Sequence, residues 1–269
     1  MYLDWNLTPI GYDENIDLVA GVLSAAVSVT VSQRTFHPQT VLNRLREGVL
    51  MATNTLHSPE IIQLLNRLFA EAEASEPALE AIVQSDVSRL LTSKTAYRQF
   101  YGLLKEIPIP VSRETGDLLY MLVRSTRARS ILEFGTSFGV STIYLAAALR
   151  DNGGGRILTT EFESSKAARA RANLTEAGLL DLVEIREGDA LETLARDLPE
   201  TFDLVLLDGA KGLYADILNR VETCLRPGSL VLADDARHCP EFVSHMRSDT
   251  SRYLSVPLAG DLEMSMRLF

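Results

Sequence analysis

Residues 131–141, ILEFGTSFGVS, constrain what this chain can become more than any other segment. A short apolar run, Ser130-Ile131-Leu132, ends in Glu133. Gly135 and Gly139 follow, and an apolar helical pattern begins at Ser141. Strand, glycine turn and helix start, in that order, form the place where an α/β sheet holds a nucleotide-like ligand: glycine lets the backbone approach it and a helix N-terminus faces it. The spacing is G-x-x-x-G with an acid two residues ahead. It differs from the G-x-G-x-x-G that cradles a pyrophosphate in dinucleotide-binding folds.

From residue 130 onward apolar runs of strand length alternate with helical patterns. Strands are expected at 130–133, 156–161, 183–186, 202–208 and 229–234, with helices near 141–150, 164–178, 190–198 and 212–226. That alternation implies a parallel sheet with helices on both faces. Two closing runs, 254–258 and 262–268, joined by Ala259-Gly260-Asp261, are expected to add an antiparallel hairpin at the sheet edge, for seven strands in all. Residues 1–93 read as helices only. The segment 16–31 is apolar on most faces, and 41–56 carries a stripe of Leu42, Leu45, Val49 and Leu50. Ser58-Pro59 opens a helix with a capping hydroxyl followed by proline at the first helical position, and Ser75-Glu76-Pro77 is expected to open another. The expected division is therefore an N-terminal helical cap or dimerisation region, 1–93, and a catalytic domain, 94–269.

At 269 residues with a net charge of -10, the surface repels a phosphate backbone, which disfavours a nucleic-acid substrate. Segment 16–31 is too short and too polar to span a membrane. The chain opens without a basic leader, and its two cysteines, Cys224 and Cys239, read as reduced thiols; a cytoplasmic location is expected. Lysines are few (Lys94, Lys105, Lys166, Lys211), so each merits attention.

In open α/β sheets ligands bind beyond the carboxyl ends of the strands. Here the expected strand ends carry Glu133, Glu161, Asp208, and the pair Asp234-Asp235. Glu161 has the position of an acid that accepts from both hydroxyls of a ribose. Gly188-Asp189-Ala190 suits an adenine edge, with Asp189 as acceptor, and suits a helix N-cap equally well. Asp208, Asp234 and Asp235 would repel one another without a counter-ion, and a hard divalent cation such as Mg²⁺ resolves that; a capping role for the last two stays open. Lys211, three residues after Asp208, is either a general base of lowered pKa in the same pocket or a solvated helix-start lysine. His238 is a further candidate, or a surface loop residue.

Taken together, PVSRETGDLL, ILEFGTSFGVS, LTTEFE, REGDALETL, FDLVLLDGAKGLY and LRPGSLVLADD, in this order over residues 108–269, resemble the class I S-adenosylmethionine-dependent O-methyltransferases. The nearer resemblance is to the metal-dependent catechol and caffeoyl-CoA type. It implies a Rossmann-like α/β fold with a mostly parallel seven-stranded sheet. It implies S-adenosylmethionine held by Glu133, Gly135, Ser137, Gly139, Ser141, Glu161, Asp189, Ala190 and Asp208. It also implies a divalent metal on Asp208, Asp234 and Asp235, with Lys211 as catalytic base beside Asp208. Catechol-type members have Asp-Asn where this chain has Asp234-Asp235, a pair that resembles some metal-dependent sugar O-methyltransferases. The expected activity is divalent-metal-dependent methyl transfer to a hydroxyl of a small molecule, a catechol-like aromatic or a natural product or sugar, by a homodimer. A metal-independent N- or O-methyltransferase and a non-catalytic cofactor-binding subunit are the alternatives.

Overall fold

The computed structural model describes residues 54–269. The expected helix at 16–31 and all but the last three residues of the one expected at 41–56 lie outside the described residues; Thr55 and Leu56 belong to a 3-10 turn, Thr55–His57. A single sheet of seven strands organises the rest, in the order β3-β2-β1-β4-β5-β7-β6. The strands are β1 (Ser130–Phe134), β2 (Arg156–Glu161), β3 (Val183–Glu187), β4 (Phe202–Leu207), β5 (Leu225–Ala233), β6 (Tyr253–Leu258) and β7 (Leu262–Arg267). The first five are mutually parallel, and β7 runs antiparallel to both β5 and β6. The sheet is wound outward from β1 and β4, which pair Ile131 with Leu204 and Phe134 with Leu207. The chain order reverses between these two strands, so their carboxyl ends open a crevice.

The described residues form eight α-helices: α1 (Pro59–Val83), α2 (Tyr97–Leu103), α3 (Arg113–Thr126), α4 (Val140–Asp151), α5 (Ser164–Glu176), α6 (Ala190–Thr193), α7 (Tyr214–Val221) and α8 (Pro240–Ser248). One side of the sheet is covered by α1, α3, α4 and α5, whose Leu64, Leu119, Ile143 and Ala170 share a core with Ile131 and Leu204. The other is covered by α6, α7 and α8, with Tyr214, Ile217 and Phe242 packed on Leu132 and Val205. Helix α4 is buried from Val140 to Leu149, which is why its sequence is apolar on every face and lacks an amphipathic stripe. It packs so closely on α3 that a Cβ at Gly116 would stand 2.5 Å from the Tyr144 ring.

Several boundaries differ from expectation; the helix expected near 212–226, for one, spans only Tyr214–Val221. Residues 59–83 form one helix, not two: Pro77 sits inside it. Pro77 is exposed, so its missing amide leaves only a solvated carbonyl unpaired, and the Ser75 hydroxyl, read as a cap, instead donates back to the Glu71 carbonyl at 2.8 Å. The helix expected over 190–198 stops at Thr193 because the Arg186 guanidinium donates to the carbonyls of Thr193, Arg196 and Asp197 at 2.8, 2.8 and 2.7 Å. Strand β5 starts at Leu225, four residues before the expected Ser229, since an irregularity around Pro227-Gly228 lets Leu225 pair with Phe202.

Candidate active site

A cavity of about 510 Å³ opens at the carboxyl ends of the parallel strands. Gly135, Ser137, Ser141, Glu161, Asp189, Ala190, Asp208, Lys211, Asp234 and Asp235 all line it, as does His238. Two expected cofactor residues, Glu133 and Gly139, stand behind this wall.

The glycine turn is built by steric need. Gly135 has φ +106°, and a Cβ there would lie 2.5 Å from the Asp208 carbonyl oxygen. Gly139, at φ +85°, opens α4 and rests on Ala170 of α5. Between them Ser137 holds a left-handed φ of +47°, which turns its amide onto Glu161 Oε2 at 2.8 Å. Glu133 is fully buried and accepts three hydroxyl hydrogen bonds, from Ser141, Thr142 and Thr159, each at 2.6 Å. Burial pushes its carboxyl up to about 7 against the pull of those hydroxyls. Glu133 therefore clamps β1, β2 and the start of α4 together, while the cavity receives the turn it positions.

At the end of β2, Glu161 accepts from the amides of Ser137 and Glu163, the latter at 3.0 Å. Burial raises its pKa, with those amides and Lys166 opposing. Asp189 does cap α6, accepting from the Leu191 amide at 2.9 Å, and it also faces the cavity. Its carboxylate further accepts from the Tyr97 hydroxyl at 2.8 Å and pairs with Arg98. Burial works against its charge, but these donors outweigh burial and hold its pKa below the usual range.

The acidic end of the cavity gathers around one ammonium. Lys211 Nζ lies 3.1 Å from Asp208 Oδ1, 3.2 Å from Asp235 Oδ2 and 2.9 Å from the Tyr214 hydroxyl. That hydroxyl donates onward to the Asp234 carbonyl at 2.9 Å. Burial, then the Asp208 carboxylate, pushes Asp234 up to about 8, and burial raises Asp208 as well. The lowered lysine pKa expected from the sequence is not found. Burial opposes the Lys211 ammonium, yet Tyr214, Asp208, Tyr101 and Asp235 together hold it well above the ordinary lysine range. Asp235 reaches Lys211 from a left-handed φ of +53°.

Sequence reasoning passed over several lining residues. Tyr97 and Tyr101 sit one turn apart on α2, and Tyr101 donates to the Gly209 carbonyl at 3.3 Å. Their i, i+4 spacing was the available signal. Tyr214, three residues after Lys211, carried a similar one. Lys166, singled out in the sequence only as one of four lysines, also lines the cavity.

A family model described as a methyltransferase domain matches residues 132–236, a span holding the glycine turn, Glu161, Asp208, Lys211 and Asp234-Asp235. The catechol O-methyltransferase of Niastella koreensis is 38% identical over 130 residues, which cover 47% of this chain and 58% of that relative. The chain thus spans less than two thirds of that relative. The catechol O-methyltransferase of Sus scrofa is 32% identical over 151 residues, covering 53% of this chain and 80% of the relative. The chain belongs to the class I S-adenosylmethionine-dependent O-methyltransferases. Among solved structures, the O-methyltransferase TomG from Streptomyces achromogenes, in complex with S-adenosylmethionine, superposes with a TM-score of 0.54 at 26% identity, over 75% of this chain and 99% of that one. In this class I O-methyltransferase chain the seven-stranded sheet expected from the sequence is present. Among the described residues no helix is long and apolar enough to cross a membrane.

Proposed function

We propose that this chain transfers the methyl group of S-adenosylmethionine to a hydroxyl of a small molecule. The observation that carries this reading is the shared cavity: Glu161 and the glycine turn line one part of it, and Lys211 with its three aspartates lines another. In this reading Gly135, Ser137, Ser141, Glu161, Asp189, Ala190 and Asp208 face the cofactor, and Glu133 and Gly139 support them from behind. Leu79, Val83, Leu104, Ile109 and Leu213 also line the cavity. Such walls offer few hydrogen bonds to a sugar and favour a hydroxyl carried on an apolar or aromatic body. The known relatives named for catechol methylation support the same choice.

The chemistry of the donors at the acidic end, though not their present arrangement, suits a hard divalent cation such as Mg²⁺. Asp208, Asp234 and Asp235 offer only carboxylate oxygens, and burial and mutual repulsion drive two of them toward protonation. As the site stands, Lys211 holds Asp208 and Asp235, and no three acidic, histidine or cysteine side chains among the described residues form a metal-holding group. A cation on these aspartates would compete with that ammonium and would supply a lowered acceptor pKa. In this reading Lys211 takes the acceptor proton once the carboxylate field that now keeps it charged is neutralised. In this reading the turn and cavity walls would hold the reacting groups in line, an effect worth up to roughly 7–11 kcal/mol in favourable systems.

A second reading is favoured by the Lys211–Asp208 pair itself: an enzyme in which the ammonium does the work of the cation. Methyl transfer to a panel of catechols and hydroxylated aromatics, with Mg²⁺ and then with a strong chelator, tests both. Loss of turnover in chelator supports the metal-dependent reading; full turnover supports the second; no transfer to any acceptor with cofactor bound would leave a cofactor-binding subunit. A homodimer joined through residues 1–93 belongs to the proposal on the apolar sequence of 16–31 alone. A cytoplasmic setting rests on two unpaired thiols, Cys224 and Cys239.

A further inference from the structure

Lys166 is 5% exposed, yet it lines the cavity. It stands in the first turn of α5 with its Nζ 3.4 Å from the Ser137 hydroxyl and 5.8 Å from the Phe138 ring centre. An ammonium has three N–H donors. Among the described residues the Ser137 hydroxyl is its one hydrogen-bond acceptor, and that contact is long. Leaving the donors of a buried charged group unmet is costly. Lys166 and Glu161 attract through space, yet no ion pair within 4 Å joins them among the described residues: Glu161 turns its oxygens to the Ser137 and Glu163 amides, so the charge attraction leaves the ammonium's donors unmet.

We propose that Lys166 is a cofactor-binding residue that reads the ribose: its ammonium, set in the cavity wall beside Ser137 and Glu161, donates to a ribose hydroxyl oxygen of the bound S-adenosyl ligand. A vicinal diol presents protons and lone pairs together. Glu161 takes the protons, and Lys166 fills the lone pairs that a carboxylate cannot. Ser137 joins the two, its amide on Glu161 and its hydroxyl on Lys166. This rests on the cavity being the cofactor site.

The test is calorimetric titration of the full chain, wild type and Lys166→Met, with S-adenosylhomocysteine, methylthioadenosine and the 2′,3′-dideoxy form of methylthioadenosine. Lys166→Met weakens the first two ligands about tenfold or more, the scale of a lost charge-assisted hydrogen bond. The dideoxy ligand binds both proteins alike. Equal affinity of both proteins for S-adenosylhomocysteine overturns the assignment. So does an equal loss for all three ligands, which marks a merely structural lysine. Failure of the wild type to bind any of them instead overturns the cofactor reading beneath it. Should Lys166→Met not fold, Lys166→Gln, which keeps a donor of shorter reach, carries the same ribose-against-dideoxy comparison.

Discussion

Gly135 and Asp208 touch through their backbones: the space where a Gly135 Cβ would stand is 2.5 Å from the Asp208 carbonyl oxygen. This contact locks the cofactor-facing turn after β1 to the strand end that carries the acidic cluster. Gly135→Ala must both adopt φ +106° and push that carbonyl away. A loss of about 2–4 kcal/mol in urea unfolding is expected from strain plus overpacking. S-adenosylhomocysteine binding should fall with it, and a variant that melts and binds like the wild type would show that the two turns are not coupled.

Glu133 gives the stability of the ligand-free protein a pH dependence. Its native pKa is about 7, while an unfolded glutamate titrates near 4.3. Between those values the native state binds more protons than the unfolded state, so stability falls as pH rises. The contribution is complete below about pH 4 and gone once pH passes through the native pKa near 7. Melting temperatures measured from pH 5 to 8 should therefore drop more for wild type than for Glu133→Gln. Parallel curves would mean that the three hydroxyls keep the carboxylate charged.

Lys211 should separate turnover from binding. Lys211→Ala is expected to lower kcat by roughly 10²–10⁴, the usual cost of a lost acid–base group, with S-adenosylhomocysteine affinity retained. Asp208→Ala should also cripple turnover. If Lys211→Ala keeps wild-type kcat on a catechol acceptor, proton transfer to this residue is not part of the reaction.

Mg²⁺ should raise the melting temperature of the wild type and do so less for Asp234→Asn. Saturation at a hundred times the dissociation constant corresponds to about 2.7 kcal/mol of stabilisation. An identical response of the two proteins, followed by differential scanning fluorimetry, would remove Asp234 from the cation site.

Pro77 interrupts an otherwise continuous helix on an exposed face. Pro77→Ala restores the amide that can reach the Glu73 carbonyl, and a gain of about 1–3 kcal/mol is expected in chemical unfolding. A loss of stability would show that the proline ring holds a contact the exposed face does not reveal.

Much of this molecule was legible along the chain because each signal was local. The apolar runs of β1 to β5 and the glycine turn declare themselves within about ten residues, and the rule that ligands sit at strand ends placed Glu161, Asp208 and Asp234-Asp235 at one rim. Tertiary structure alone decided what those side chains face. Glu133 turned inward because hydroxyls from β2 and α4, far apart in sequence, meet at its carboxylate. Lys211 became a held ammonium because Tyr101, Tyr214 and Asp235 converge on it from three elements. Periodicity reports which face of an element is apolar, but a charge state depends on neighbours brought together through space, and those exist only once the sheet has wound.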